Sequence, residues 1–572
     1  MRTRLTPKLI ISFFLFTISI GIFSISPAKS YVIDIYNYIS VIYWSSILLV
    51  MVSATIATTL FVRDKQIRLA WVTTSIIGFA TGLVMLLPLF LQYPMYNRGD
   101  SMSHLGYVNY IQNFNEIPPD PYPVLHLVGA TLAFTSGMET ESIVLIYPIV
   151  SFAIFVTGCI AFVRIHTHNI INPATFLIIF LPIFGTGHWN FAPFAQSIFL
   201  FPFFLLVFRQ IAEGRGFRSN MMIVLLMIVL PLIHPTTSVL FILVFFAMIL
   251  RNQFLANPYP LDWELILILI VVLGYRIAST GLIYGHVTAA LNWIIRGAGQ
   301  SELAEINNNA AALPLDIFDY VVIFSARYGV VFILAITSFC SIIYLVFNRN
   351  QIAGPRRYTV FTLFLIEVVS FFASIFGLIF NITGFGFDRF VRFATLNALL
   401  VTTVGFSMIS PLLKSRKFWK DAIVLSFTLL LVLTTVLTYF AAPVAEQPNQ
   451  QVTRAELDGT EWFLEYSMYP AETHQAFVPL YRFIDAVRWT HSDVRTEIGS
   501  VQKAPRSLVY NRCREPRLYL LTSKLAYLYG PGLRPNHPET WIYGPPDFDM
   551  LKGTPPLSRI YNNGGFSAYY CS

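Results

Sequence analysis

The chain of 572 residues is 55% hydrophobic and only 12% charged, with a mean hydropathy of +0.63. A soluble domain carries about twice that share of charge, and so apolar a surface would not stay dispersed in water, so lipid is the expected solvent. The formal net charge of +8 sits mostly in short segments between apolar runs, which is a mark of membrane topology and excludes nucleic acid as the partner.

In chain order, apolar runs near the ~20 residues that span a bilayer core occur at 9–27, 39–62, 69–91, 141–163, 173–187, 191–208, 220–233, 236–250, 262–283, 318–347, 358–381, 390–411 and 421–442. They predict an all-α polytopic membrane domain over residues 1–442, with about thirteen transmembrane helices. The first run follows a basic start and mimics a signal peptide, but the topology retains it as a helix. The runs at 173–187, 220–233 and 236–250 are short and suit half-helices or tightly turned pairs. With the N-terminus cytoplasmic, the inner segments hold Arg63, Lys65, Arg68, Arg164, Arg209, Arg251, Arg356, Arg357, Lys414 and Arg416, whereas the outer loops hold only Lys29, Arg98 and Arg296. That asymmetry places residues 443–572 outside the cytoplasm. Their balanced charge and frequent Pro, Tyr and Gly predict a small globular α/β or mixed domain. Cys159 and Cys340 fall in apolar runs, and Cys513 and Cys571 fall in the C-terminal domain, where the sequence leaves their pairing open.

The first long outer loop, about 92–140, contains RGDSMSHLGYVNYIQNF followed by PPDPYPVLH. Asp100 or Ser101 is placed to cap a helix. Met102, Leu105, Val108, Ile111 and Phe114 then recur every third residue, predicting an amphipathic helix lying in the membrane interface that ends before Pro118-Pro119. The stretch 124–134 is apolar but too short to span, so it re-enters or lies along the membrane. Asp100 and His104, four apart, share a helix face; such a pair suits acid–base work or a divalent cation, or else a cap beside a solvated histidine. No Walker loop and no GxGxxG precedes a helix, so nucleotide-sugar and ATP sites have no support.

These features resemble the GT-C superfamily, membrane glycosyltransferases that use polyprenyl-phosphate-linked sugars. The resemblance rests on Asp100 in its outward loop, the PPDPYPVLHLVGATLAF segment, the short middle helices, the late helix DRFVRFATLNALL and the outer C-terminal domain. It is nearest to archaeal members, through HPTTSVLFILVFF and SRIYNNGGFSAYY. The resemblance implies a transferase, of the inverting kind, that moves a sugar from a polyprenyl or dolichyl phosphate to a glycan, lipid or protein acceptor at the outer membrane face. Asp100 is then the expected base, with His104 orienting it or touching the acceptor. Members often carry two adjacent acidic residues here, whereas Ser101 follows Asp100; a divalent cation, Mg or Mn, stays an open expectation.

Donor phosphate calls for cationic side chains. Arg389 and Arg392, three apart at the outer end of a helix, suit it, the bland alternative being snorkelling or pairing with Asp388. Arg276 and Arg327 lie inside helices, where they line the same cavity or pair with Glu302, Glu305, Asp316 or Asp319. His234 and Glu302 are further candidates on the acceptor side, although His234 also reads as a simple turn residue. His188-Trp189-Asn190 reads as an interface turn, and Asn381-Ile382-Thr383 as a sequon at the membrane surface. A transporter or flippase of lipid-linked sugars, or a non-catalytic scaffold, are the rival readings.

Overall fold

The computed structural model describes residues 7–571 except 119–121, 167–172, 186–190, 213–215, 255–262, 282, 286, 289–291, 293–314, 348–353, 381–386, 413–416, 468–470, 489–497, 499, 506–507, 509–517 and 554–556. Glu302, Glu305, Trp293, Arg296, the 188–190 turn, the 381–383 sequon and Cys513 therefore lie outside the described residues.

Membrane helices dominate. Six among the described residues are long and apolar enough to cross a bilayer: α2 (Val41–Arg63), α3 (Ile67–Met85), α6 (Thr140–His166), α11 (Ile317–Phe347), and the apolar parts of α12 (Gly354–Phe380) and α13 (Phe387–Leu412). Shorter apolar helices join them: α1 (Pro7–Phe23), α5 (Pro123–Ser136), α7 (Pro193–Ala212), α8 (Gly216–Ile233), α9 (Pro235–Phe254), α10 (Trp263–Ser279) and α14 (Lys417–Leu437). The run at 173–187 is not a continuous helix. A four-residue α-turn, Pro173–Phe176, passes into a 3-10 turn, Leu177–Phe180, and the segment is buried among neighbouring helices. Residues buried on all sides have no lipid-facing stripe, so hydropathy alone cannot tell such a segment from a span. α8 and α9 are separated only by His234, as their shortness suggests.

α13 is the most enclosed long helix. Thr395, Asn397 and Thr403 each donate to the carbonyl four residues back, which is how such donors are tolerated away from water.

The loop helix, α4 (Asp100–Phe114), starts at Gly99 without a side-chain cap, carries Asp100 in its positive first turn, and stops at Asn115 in the left-handed conformation. Of its stripe, Met102, Leu105, Val108 and Ile111 are buried, whereas Phe114 in the last turn is exposed. The stripe does not lie on lipid: it joins a core with Leu480, Phe483 and Ile484 of the C-terminal part and with Leu125 and Ala130 of α5. At about 1.5 Å per residue, the 14 residues of α5 fall well short of a bilayer, and α5 packs along α4 with His126 inward.

From Gln451 onward the chain builds α/β structure. β2 (Gln451–Val452) pairs antiparallel with β1 (Met95–Tyr96) of the 92–140 loop, Met95 opposite Val452. A five-stranded mixed sheet follows, in the order β4-β3-β5-β7-β6, from β3 (Glu472–Ala476), β4 (Val501–Lys503), β5 (Leu518–Ser523), β6 (Leu557–Asn562) and β7 (Phe566–Cys571). β3 runs parallel to β4 and β5, whereas β7 is antiparallel to β5 and β6. Helices α15 (Arg454–Tyr466), α16 (Leu480–Arg488), α17 (Lys524–Leu533) and α18 (Pro545–Gly553) complete this part. α15 opens with a capping box in which Thr453 and Glu456 bond each other's backbone. Cys571 is disulfide-bonded, and Cys159 and Cys340 are free.

Candidate active site at the seam of loop and C-terminal part

Two ion pairs tie the 92–140 loop to the C-terminal part. Arg98 Nη2 meets Glu456 Oε2 at 2.6 Å with both side chains buried, and its guanidinium lies 4.9 Å from the Tyr31 ring centroid. The second pair is exposed: Arg482 Nη2 meets Asp100 Oδ1 at 2.6 Å, with side chains 42% and 60% accessible. Arg482 also donates from Nη1 to Ser103 Oγ at 2.8 Å, and Ser103 donates to Asp485 Oδ2 at 2.5 Å. Ser103 and Asp485 are buried. α16 therefore presents Arg482 and Asp485 one turn apart to the first turn of α4. The approach is close at Gly106, where an added Cβ would stand 2.1 Å from the Asp485 carbonyl oxygen; only glycine leaves that space.

His104 turns inward, away from the Asp100–Arg482 pair. Its Nδ1 is 2.8 Å from His126 Nε2, so one ring donates and the other accepts. Burial, and then the nearby His126, Arg482 and His234, hold the His104 imidazole well below its ordinary pKa, so it stays neutral. Tyr107 stacks on His126 at 4.6 Å, and Tyr122 meets His104 edge-on and stacks on His234 at 5.1 Å. The expectation that His104 orients Asp100 is replaced: Arg482 holds the carboxylate, because the buried side of α4 carries His104 to α5.

His234 occupies the buried turn before α9, where its Nδ1 accepts from the Thr236 amide at 3.2 Å. Arg389 reaches the same corner. Its Nη1 is 3.4 Å from Thr236 Oγ1 and its guanidinium is 5.7 Å from the Phe194 ring centroid. Thr237 Oγ1 and Ser238 Oγ are buried there without hydrogen-bond partners among the described residues.

Arg392 takes a different direction. It pairs with Asp388 at 2.5 Å and, with Arg327, lines a cavity of about 680 Å³ walled by Phe184, Phe324, Tyr328, Phe387 and Phe440. Residues three apart differ by about 60° around a helix axis, enough to give Arg389 and Arg392 separate neighbours. Arg327 donates from Nε to the Ala445 carbonyl at 2.8 Å and from Nη2 to that of Glu446 at 3.3 Å. Its described polar contacts are thus backbone carbonyls rather than the acidic residues considered from the sequence. Arg276, in the last turn of α10, is not among the residues lining the cavity.

Among the described residues no group of three or more His, Cys, Asp or Glu is arranged to hold a metal ion. His104 and His126 spend their facing nitrogens on each other, and Arg482 meets Asp100 at Oδ1, so these side chains do not converge as a ready-made ligand set. Sequence reasoning missed Arg482, Asp485, Ser103, His126 and Tyr122. Arg482 lies 379 residues from Ser103, and no local pattern carries such a pairing.

No family profile and no curated protein matches the chain. Solved structures do. The Archaeoglobus fulgidus oligosaccharyltransferase, in a complex with Zn and sulfate, matches at 13% identity and a TM-score of 0.46, over 86% of this chain and 72% of that one. The same organism's AglB with an inhibitory peptide and a dolichol-phosphate gives 12% identity and 0.45 over 82% and 72%. ArnT from Cupriavidus metallidurans gives 10% and 0.33 over 83% and 94%. All three TM-scores lie below 0.5 and no identity exceeds 13%, so the chemistry rests on this chain's own residues.

Proposed function

We propose that the chain is a membrane glycosyltransferase that moves a sugar from a polyprenyl- or dolichyl-phosphate donor to an acceptor hydroxyl on the outer face. The observation that carries this reading is a juxtaposition. An accessible, arginine-held carboxylate, Asp100, opens the helix α4 whose His104 starts a run of ring contacts through Tyr122 to His234, beside Arg389 of α13, the helix whose Arg392 lines the aromatic-walled cavity.

In this reading the isoprenoid occupies the cavity, whose 680 Å³ is of the size that holds small ligands. Arg392 and Arg327 carry the charge that suits a phosphate at its polar end. Arg389, on another side of α13, stands beside the N-terminus of α9, a second corner where backbone amides and the Thr237 and Ser238 hydroxyls favour an anion. Asp100 accepts the proton of the acceptor hydroxyl. The acceptor oxygen attacks the anomeric carbon from the face opposite the phosphate, the carbon–oxygen bond to phosphate breaks, and the polyprenyl phosphate leaves with the electron pair. That geometry inverts the anomeric centre. The neutral His104, bonded to His126, supplies a rigid wall behind α4, and residues 443–572, as an extracytoplasmic domain, help to recognise the acceptor. The N-terminus is cytoplasmic in this arrangement.

Purified protein incubated with a lipid extract holding polyprenyl-phosphate sugars, followed by mass spectrometry, tests the proposal. Loss of donor matched by sugar on an acceptor is expected. Donor that binds and stays intact would turn the reading to a transporter or a scaffold.

A further inference from the structure

The ion pair across the seam raises a question that the reaction alone does not answer: why a carboxylate meant to take a proton should be bound to a guanidinium. We infer that Arg482 is a positioning residue, through which the C-terminal part fixes the working orientation of Asp100; the inference rests on Asp100 being the base.

The geometry supports this in three ways. Arg482 meets the carboxylate at Oδ1, and Asp100 stays 60% accessible, open to an acceptor hydroxyl. Its other arm is fixed, because Nη1 donates to Ser103 Oγ, which donates in turn to the buried Asp485. The planar guanidinium is thus held at two points, a constraint a lysine cannot reproduce. The platform beneath is also rigid: α16 meets α4 at Gly106 with no room for a Cβ, and Leu480, Phe483 and Ile484 are buried in the core that contains the α4 stripe.

Magnitudes decide the sign. An ion pair as exposed as this one favours the bound carboxylate by less than about tenfold, so it opposes proton transfer weakly. A reacting group misplaced by about 1 Å loses on the order of a hundredfold in rate. Orientation outweighs the weak hold of the exposed pair, and Arg482 speeds the reaction.

The test uses the full-length protein in detergent, with Arg482→Gln, Arg482→Lys and Ser103→Ala, each in the wild-type and the Asp100→Asn backgrounds. Steady-state transfer from polyprenyl-phosphate sugar is measured together with melting temperature. Arg482→Gln is expected to lower kcat by about ten- to a hundredfold, with KM within about twofold and an unchanged melting temperature. Arg482→Lys should recover part of the loss, and Ser103→Ala should lose less than Arg482→Gln. In the Asp100→Asn background, Arg482→Gln should lower the residual rate no further. A loss confined to KM, or one that multiplies with Asp100→Asn, would overturn the inference. So would variants that match wild type, which would leave the transferase reading standing. A wild-type protein that transfers nothing overturns that reading and this inference together.

Discussion

Two arginines cross the same seam and do opposite things. Arg98 and Glu456 are both buried, and Glu456 is bound by Thr453 as well; Arg482 and Asp100 are both substantially exposed. A buried pair is fixed in place by what its rupture would cost, because removing one partner strands the other charge away from water. An exposed pair is weak and exchanges readily with solvent or ligand. The first pair therefore holds the loop to the C-terminal part, and the second remains available for chemistry.

The contrast can be broken from either side. Arg98→Ala or Glu456→Ala should destabilise the protein by about 3–5 kcal/mol, read as a large fall in melting temperature, with activity falling only as folded protein is lost. A small shift would mean the buried pair is not what fixes the seam. Gly106→Ala should cost about 1–3 kcal/mol, the range for forcing atoms into a packed interface. It should also lower transfer beyond its effect on folding, since α16 must move away and take Arg482 with it.

The His104–His126 pair adds a dependence on pH. Burial keeps His104 neutral in the folded state, whereas the unfolded chain takes up a proton near pH 6.5. Below that value the unfolded state binds more protons, so stability should fall by roughly 1.4 kcal/mol per pH unit for this group. Melting temperatures across pH 5 to 8 in wild type and His104→Gln should show a slope that the variant flattens; equal slopes would contradict the burial account. Arg482→Gln is expected to move stability least, by less than about 1 kcal/mol, while lowering the rate.

Much of the scaffold is legible in local pattern. The period of Met102, Leu105, Val108 and Ile111 predicts α4, and the shortness of 220–233 and 236–250 anticipates the break at His234. What buries those faces is not legible. The α4 stripe suits lipid and the core formed with Leu480, Phe483 and Ile484 equally well, because periodicity gives a face and not its partner. The site divides along the same line. Asp100, Arg389 and His234 announce themselves as polar groups in apolar surroundings. Arg482 belongs to α16, a short helix of the C-terminal part, and meets Ser103 across 379 residues of chain. The common face expected for Arg389 and Arg392 separates because both sides of α13 are occupied: Phe194 and Thr236 flank one, and the cavity opens on the other.

The central claim is that Asp100 takes the acceptor's proton at an outward-facing lipid-sugar site. Its most direct test compares wild-type and Asp100→Asn proteins in single-turnover transfer from a polyprenyl-phosphate sugar, with donor binding measured on the same samples. The account predicts unchanged donor binding and a fall in transfer rate of at least about a hundredfold. Transfer at the wild-type rate by Asp100→Asn would contradict it.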